Sequence, residues 1–182
     1  MNILLLCGSF RAGSLNAALL AAAAERLTGH DTTTFPIRDL PFYDTALDGD
    51  GRPPVVADFL AAVAACDGIV IAGPEYNHSV TAVLKNAIDW ASRPAFASPL
   101  AGKPYTVLSA TPSPVGGVHG QAHLKHILDS TLSVVYPAVT YALGQAHEKI
   151  VDGELVDEQA QRRLDRHMAG FLAWLEGQGD RP

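Results

Sequence analysis

The sequence predicts an α/β fold, with a doubly wound parallel sheet of five strands and helices on both faces. Short apolar runs alternate with longer segments of helical period along most of the chain, the pattern of a parallel sheet covered by helices. Residues 68–73 are apolar throughout, as in a strand buried on both faces. Loops rich in glycine, proline and polar residues follow the first, third and fourth strands. In the order 2-1-3-4-5, these loops meet at the edge of the sheet where ligands bind.

The first part of the chain contains two predicted strand–helix pairs. The first strand covers residues 2–7, and an alanine- and leucine-rich helix follows at residues 15–27. The second strand is short, at residues 31–35, and the second helix covers residues 55–66. The polar connection between them is long, and long ordered connections are often functional or interfacial.

The second part of the chain continues the alternation. Its predicted strands lie at residues 68–73, 103–110 and 133–135, the last resuming at residues 139–143 after Pro137. Its predicted helices lie at residues 80–92, from Gly117 to residue 128, and from a cap at Asp157 onward. Because the sequence has no internal repeat and no low-complexity linker, we expect residues 1–182 to form a single domain.

Composition indicates which partners and which cellular compartment the chain suits. The chain has 13 basic and 19 acidic residues, a formal charge of −6, and no basic run, so we expect no nucleic-acid partner. No segment is long and apolar enough to predict a membrane span. The two cysteines, Cys7 and Cys66, form no CxxC or zinc spacing and are expected to be buried thiols. Together with the lack of a signal-peptide pattern at the start, they favour a reducing, cytoplasmic location.

Three histidines share a helical spacing that could suggest a metal site. His119, His123 and His126 have no cysteine or carboxylate companion, so a partly exposed helix face is the favoured interpretation. We therefore expect no bound metal.

The loop after the first strand, residues 8–16, has the composition of an anion site. Ser9, Ser14 and Asn16 are neutral donors, Arg11 is its one cation, and two glycines let backbone N–H groups turn inward. N–H groups at a helix start attract anions, and a guanidinium adds charge-assisted hydrogen bonds. The alternative is an ordinary strand-to-helix turn capped by Ser14. The loop matches neither GxxxxGK[ST] nor GxGxxG, so neither a nucleoside triphosphate nor a Rossmann dinucleotide is favoured.

Three motifs together resemble the NADPH-dependent FMN reductase family, flavodoxin-like flavoproteins that include quinone, azo-dye and chromate reductases. Residues 8–16, GSFRAGSLN, match the family's phosphate-loop pattern G-S-x-R-x-x-S-x-N. Residues 73–79, GPEYNHS, and residues 84–90, LKNAIDW, match its second signature. Gly116-Gly117 followed by Gln121 resembles, less specifically, its third loop.

The resemblance implies a bound FMN and a set of residues around it. Those implied at the phosphate are Ser9, Arg11, Ser14, Leu15 and Asn16. Those implied along the isoalloxazine ring are Pro74, Glu75, Tyr76 and Asn77, with Ser109 and Thr111 bordering its other side. The helix start after Gly117 would stabilise negative charge at the pyrimidine edge.

The implied activity is an FMN-dependent transfer of hydride from NADPH or NADH to quinones or similar electrophiles. Alternatives are a flavin reductase that releases reduced FMN to a partner, and a non-enzymatic flavodoxin-like electron carrier. With one exposed ring face, nucleotide and acceptor would bind in turn. No side chain is assigned a catalytic step, because a carboxylate such as Glu75 in a ring-binding loop more often fixes the turn than acts as an acid.

Two positions depart from the family pattern. Thr81-Ala82 stands where proline-glycine is usual, and His119 where an arginine is often found. Neither lies in the phosphate loop, so the departures bear on substrate preference rather than on flavin binding.

The helix at residues 80–92 carries an apolar arc of roughly 160°, wider than the stripe of about 100° that a surface helix needs. Val83 and Trp90 extend this arc on one side, and Ile88 extends it on the other. The excess predicts a partner helix, and hence a homodimer or homotetramer, as the resemblance also implies. The alternative is that a long neighbouring loop covers Trp90.

Overall fold

The structure is a computed structural model that describes residues 1–177. Its strands are β1 (Asn2–Cys7), β2 (Asp31–Phe35), β3 (Gly68–Ala72), β4 (Pro104–Ala110), β5 (Val134–Val135), β6 (Tyr141–Leu143), β7 (Ile150–Val151) and β8 (Glu154–Leu155). Its helices are α1 (Leu15–Ala24), α2 (Pro54–Ala65), α3 (Ala82–Ala91), α4 (Val118–Asp129), α5 (Ala146–Lys149) and α6 (Glu158–Glu176). Short 3-10 turns lie at Ile37–Asp39 and Thr45–Leu47.

The central sheet has the predicted order, β2-β1-β3-β4-β5, with all neighbours parallel. The last position is shared by two short strands, because β5 pairs with the start of β4 and β6 with its end. Residues 136–140 leave the sheet between them. The predicted interruption of the fifth strand is therefore confirmed.

Alternate residues of each central strand face opposite helical layers. Ile3 and Leu5 of β1 pack with α1 and α6, whereas Leu4 and Leu6 pack with α2, α3 and α4. A strand with apolar residues on both faces is stable only between two such layers. This arrangement confirms the prediction of helices on both faces.

The end of the described chain contains features that the sequence analysis does not predict. Helix α5 and the antiparallel pair β7–β8 precede α6. The predicted cap of the last helix is confirmed, since the Asp157 carboxylate accepts a hydrogen bond from the Ala160 N–H at 2.7 Å. The extent of the single domain, residues 1–182, stays a prediction, and residues 178–182 lie outside the described residues.

The structure corrects the interpretation of Trp90. Its side chain has no exposed surface, and its indole N–H donates to the Pro41 carbonyl at 2.8 Å. Tyr43 packs edge-on against the ring at 4.9 Å, and the same stretch is bonded to Asn86 of α3. The long connection between β2 and α2 therefore covers this edge of the helix. The inference of a partner helix from Trp90 is wrong, and the alternative of a covering loop is right.

Candidate functional site

Loops at the carboxyl ends of β1, β3 and β4 enclose an open cleft with about 500 Å³ of empty volume. It brings together nine of the twelve predicted site residues: Ser9, Arg11, Ser14, Leu15, Asn16, Pro74, Glu75, Tyr76 and Thr111. Ala110 and Pro112 complete its lining, whereas Asn77, Ser109 and Gly117 lie outside it. The position at the edge of the sheet, beside the β1–β3 switch point, is the one that parallel α/β sheets use for ligands.

The loop before α1 forms one end of the cleft. Ser14 is the N-cap, and its hydroxyl oxygen accepts a hydrogen bond from the Ala17 N–H at 3.2 Å. Gly13 has a φ of 66°, with open space where a side chain would stand, which is a conformation that favours glycine. The exposed Arg11 forms no ion pair or side-chain hydrogen bond with any described residue. Ser14 thus caps α1, and the Arg11 guanidinium is available to a ligand.

Asn16 connects the loop before α1 to the end of β4 on the other side of the cleft. Its amide N–H donates to the Ala110 carbonyl at 2.8 Å, and its amide oxygen accepts from the Ala110 N–H at 2.9 Å. The side chain is 3% exposed, so both hydrogen bonds are shielded from water. Asn16 therefore fixes the start of α1 against the end of β4. A contact between Asn16 and FMN stays a prediction.

A second cation, Arg38, supports the loop before α1, although no motif of the sequence indicates it. Arg38 donates from Nη2 to the Phe10 carbonyl at 3.2 Å, and its guanidinium lies 4.8 Å from the centre of the Phe10 ring. Nothing in the local spacing of Arg38 indicated this contact, because the parallel pairing of β1 and β2 creates it.

The loop after β3 contains a tight turn. Tyr76 and Ser79 exchange two backbone hydrogen bonds of 3.0 Å, and the residues between them, Asn77 and His78, have φ values of 52° and 60°. Positive φ at both central residues is typical of a type I′ turn, for which asparagine is well suited. The turn leaves Tyr76 56% exposed at the cleft. Asn77 occupies a central position of the turn and does not line the cleft.

Glu75 attaches this turn to the start of α4. One carboxylate oxygen accepts a hydrogen bond from the Gly120 N–H at 2.9 Å, and the other lies 3.3 Å from Nδ1 of His78. A Cβ at position 120 would lie 3.1 Å from the Glu75 Cβ, so the approach favours glycine. These contacts favour a turn-fixing role for Glu75 over a role as general acid.

Ser109 and Gln121 hold the third loop. Gln121 donates from Nε2 to the Ser109 hydroxyl at 2.6 Å and to the Tyr141 carbonyl at 2.9 Å, while Ser109 donates to the Gly116 carbonyl. Gly117 has a φ of 86°, and a Cβ there would lie 3.1 Å from the Ser109 hydroxyl. Ser109 and Gly117 therefore shape the loop rather than line the cleft. The motif match included Gln121 without indicating this role.

Comparison with known proteins assigns the chain to a family. The family model described as NADPH-dependent FMN reductase matches residues 1–148. The chain belongs to the NADPH-dependent FMN reductase family. This membership confirms the predicted oxidoreductase activity, with FMN as cofactor and NADH or NADPH as electron donor.

Relatives match this family member over most of its length. It is 33% identical over 178 residues to an NAD(P)H-dependent FMN reductase of Pseudomonas aeruginosa, covering 96% of the chain and 95% of the relative. It is 40% identical over 167 residues to an NAD(P)H:quinone oxidoreductase of Solanum tuberosum, covering 87% and 84%. Among solved structures, the flavoenzyme NAD(P)H:(acceptor) oxidoreductase FerB of Paracoccus denitrificans is 30% identical, with a TM-score of 0.89 and 97% of each chain covered. The flavodoxin-like fold is thereby confirmed.

The donors around the cleft of this family member suit FMN. The loop before α1 offers hydroxyl groups, the uncommitted Arg11 and the N–H groups of a helix start, which together suit a phosphate. Pro74 and Tyr76 on one side, and Ala110 and Pro112 on the other, offer apolar surface and backbone groups, which suit a planar ring. Asn16 sets the spacing between these two parts, so the residues present fit the cofactor.

The thiol nearest the cleft is protonated at neutral pH. Cys7 ends β1, its Sγ donates to the Ser9 carbonyl at 3.4 Å, and burial raises the pKa of the thiol. Burial likewise raises the pKa of Cys66. A protonated thiol is a poor nucleophile, so neither cysteine suggests covalent chemistry in the family reaction.

Two further features of the described chain concern metals and membranes. Within residues 1–177, no three side chains of the metal-binding types come together closely enough to hold an ion, and His119, His123 and His126 are exposed. In the same range, every helix is too short or too polar to cross a lipid bilayer.

Proposed function

We propose that this member of the family passes hydride from NADPH or NADH to quinones or similar planar electrophiles. The observation that carries the proposal is the cleft itself, which combines Arg11 at one end with Pro74, Tyr76, Ala110 and Pro112 at the other. Two relatives named as quinone oxidoreductases, from Solanum tuberosum and Arabidopsis thaliana, are 40% and 37% identical to the chain. Both observations favour a planar acceptor.

The loop before α1 would hold the FMN phosphate. Arg11 would supply the positive charge, and Ser9, Ser14 and the Leu15 backbone would supply hydrogen bonds. The capping bond from Ala17 uses one lone pair of the Ser14 oxygen, and its O–H remains free to donate. Arg38 would add positive potential from behind the loop, where it contacts Phe10.

The remaining loops would hold the isoalloxazine ring. FMN, when bound, supplies the hydride-transfer chemistry, and the protein supplies binding and orientation. Glu75 fixes the turn against α4 by accepting the hydrogen bond from the Gly120 N–H. Asn16 keeps the phosphate end and the ring end at a fixed separation.

Donor and acceptor would bind one after the other at the same open side of the cleft. The exposed Tyr76 would flank both of them. Initial rates measured at several NADPH and quinone concentrations should therefore give parallel double-reciprocal lines. Intersecting lines would show that both substrates bind together, which would contradict a shared position.

The flavin itself is tested by purification. We expect the protein to carry FMN or to take it up on addition, and chromatography of the extracted flavin identifies it. A protein that binds no FMN after reconstitution would overturn the proposal. If FMN is lost on each reduction and an added quinone does not raise NADPH consumption, the protein is a flavin reductase that supplies a partner.

We also propose assembly as a homodimer or homotetramer in the cytoplasm. Phe96 is 82% exposed beside a groove between α3 and α4, and exposed aromatic residues are frequent at interfaces. The free thiols Cys7 and Cys66 suit a reducing compartment. Light scattering should give at least twice the 19.2 kDa chain mass, and a Phe96→Ser variant should assemble less. A wild type of single-chain mass would refute the assembly.

A further inference from the structure

A second open cleft lies where residues 136–140 leave the sheet, on the side of α6. Its empty volume is about 680 Å³, part of it open to solvent, and it shares no lining residue with the flavin cleft. Its lining consists of Tyr136, Ala138, Val139, Thr140, Tyr141, Arg163, Arg166 and His167. The family match ends at residue 148, so α6, which supplies three of these residues, lies beyond it.

The cations at this cleft lack acidic partners. Arg163 and Arg166 line it, and Lys125 reaches its rim by donating from Nζ to the Thr140 hydroxyl at 2.9 Å. Within residues 1–177, none of the three cations lies within 4.0 Å of a carboxylate oxygen. In a chain with a net charge of −6, three uncompensated cations at one cavity mark a place that attracts anions.

Two neighbouring carboxylates of α6 form ion pairs with cations that do not line the cleft. Asp165 forms an ion pair with Arg26 at 2.7 Å, and Glu158 forms one with Arg162 at 3.1 Å. Arg162 adjoins Arg163 in sequence but lies outside the cleft lining. The helix therefore presents paired charges away from the cleft and unpaired cations toward it.

His167 lies half-buried in the lining of the cleft. Burial, and then the charges of Lys125 and Arg163, lower the pKa of its imidazole to about 4. The ring is held by the Thr106 hydroxyl at 2.7 Å and by the Val139 carbonyl. His167 is therefore neutral at pH 7 and leaves the arginines as the charged groups of the lining.

Aromatic rings lie beside these cations: Tyr136 is half-buried at the cleft, whereas Tyr141 is buried beneath Arg163. The rings of Tyr136 and Tyr141 lie 5.5 and 5.9 Å from that of His167, centre to centre. The Arg163 guanidinium lies 5.2 Å from the centre of the Tyr141 ring. An aromatic ring suits a flat ligand, and guanidinium groups suit carboxylate, sulfonate or phosphate oxygens.

We propose that this cleft is a second binding site, for a planar anion that consists of an aromatic ring bearing a carboxylate, sulfonate or phosphate group. Arg163 and Arg166 bind the anionic group, and the half-buried Tyr136 contacts the ring. The site is independent of the hydride-transfer reaction proposed above.

Calorimetric titration tests the site on protein saturated with FMN, which fills the loop before α1. We expect benzenesulfonate, benzoate and phenyl phosphate to bind, inorganic phosphate to bind more weakly, and benzyl alcohol to give no binding heat. Arg163→Gln and Arg166→Gln should each weaken binding roughly tenfold or more, since each removes a charge-assisted contact. Arg162→Gln, the matched control, should leave the affinity unchanged.

Three results would overturn the proposal. Binding heat that disappears on saturation with FMN would belong to the loop before α1. Equal losses in Arg162→Gln and Arg166→Gln would show nonspecific attraction to α6. Benzyl alcohol binding as well as benzoate would show that charge is not recognised. Because Arg166 is exposed, its variant remains informative even if Arg163→Gln impairs folding.

A second readout locates the ligand without any activity measurement. A bound anion favours the protonated imidazole, so benzenesulfonate should raise the pKa of His167 in an NMR titration. The histidine signals can be assigned with a His167→Gln variant. A His167 titration that is identical with and without saturating benzenesulfonate would place the anion elsewhere and refute the site.

Discussion

Arg11→Ala is expected to weaken FMN binding without disturbing the fold. Arg11 is exposed, and it forms no side-chain hydrogen bond or ion pair with the residues that the structure describes. Its removal therefore breaks no hydrogen bond or ion pair of the side chain within residues 1–177. It does remove the one cation between Gly8 and Asn16, in the loop proposed to bind a phosphate that is close to a dianion.

The expected loss corresponds to one charge-assisted contact. Such hydrogen bonds contribute about 1.5–3 kcal/mol, and about 1.4 kcal/mol corresponds to a factor of ten in affinity. The dissociation constant for FMN should thus rise roughly ten- to a hundredfold. Binding should persist, because the N–H groups of α1 remain and Arg38 still supports the loop through Phe10.

Flavin fluorescence titrations of wild type and variant measure this change, and riboflavin is the control ligand. Riboflavin lacks the phosphate, so its weaker binding should hardly respond to Arg11→Ala. Arg52→Ala is the control variant, because Arg52 is bonded to Asp48 at 2.6 Å, outside the cleft lining. Superimposable FMN titrations of wild type and Arg11→Ala would refute the assignment of the loop, as would an equal loss for riboflavin.

Three further substitutions test the fold around the site. Trp90→Ala should lower the free energy of unfolding in urea by about 3–5 kcal/mol, the usual cost of emptying a buried aromatic site, whereas Phe42→Ala, at a side chain that is 80% exposed, should change it little. Asn16→Leu leaves both Ala110 backbone groups unpaired at about 1–3 kcal/mol each, so stability and FMN affinity should fall together. Gly117→Ala should cost about 1–3 kcal/mol of stability, because alanine must adopt a φ of 86° there. Unchanged unfolding curves would contradict the corresponding contacts.

The sequence predicted the fold well because its signals are local. The apolar run at 68–73 and the helical period of the segments define the central strands and helices without knowledge of the tertiary structure. The elements in residues 146–155 were not predicted, because such local patterns need several residues to become visible. Helix α5 has four residues and β7 and β8 have two each, which is too short for a periodic pattern. Trp90 was misinterpreted because helical period shows that a side is apolar, but not what covers it.

Predictions for the site were most complete where the chain itself brings the residues together. The loop at residues 8–16 and residues 74–76 follow strands directly, so adjacent strands place them side by side. Arg38 could not be predicted, because its contact with Phe10 depends on how the chain continues beyond β2. The role of Asn16 also escaped prediction, since the sequence shows an amide but not the backbone groups it meets.

The covering of Trp90 bears on where this protein could be cut or extended. The Pro41 carbonyl accepts hydrogen bonds from both Asn86 and Trp90, so a surface connection closes part of the interior. Proteolysis beside residue 41 would remove the cover of the core and expose the Trp90 indole to water. Residues 49–52 of the same connection are exposed, and insertions or affinity tags placed there would leave that closure intact. A circular permutant opened at the exposed stretch should therefore fold, whereas one opened beside residue 41 should not.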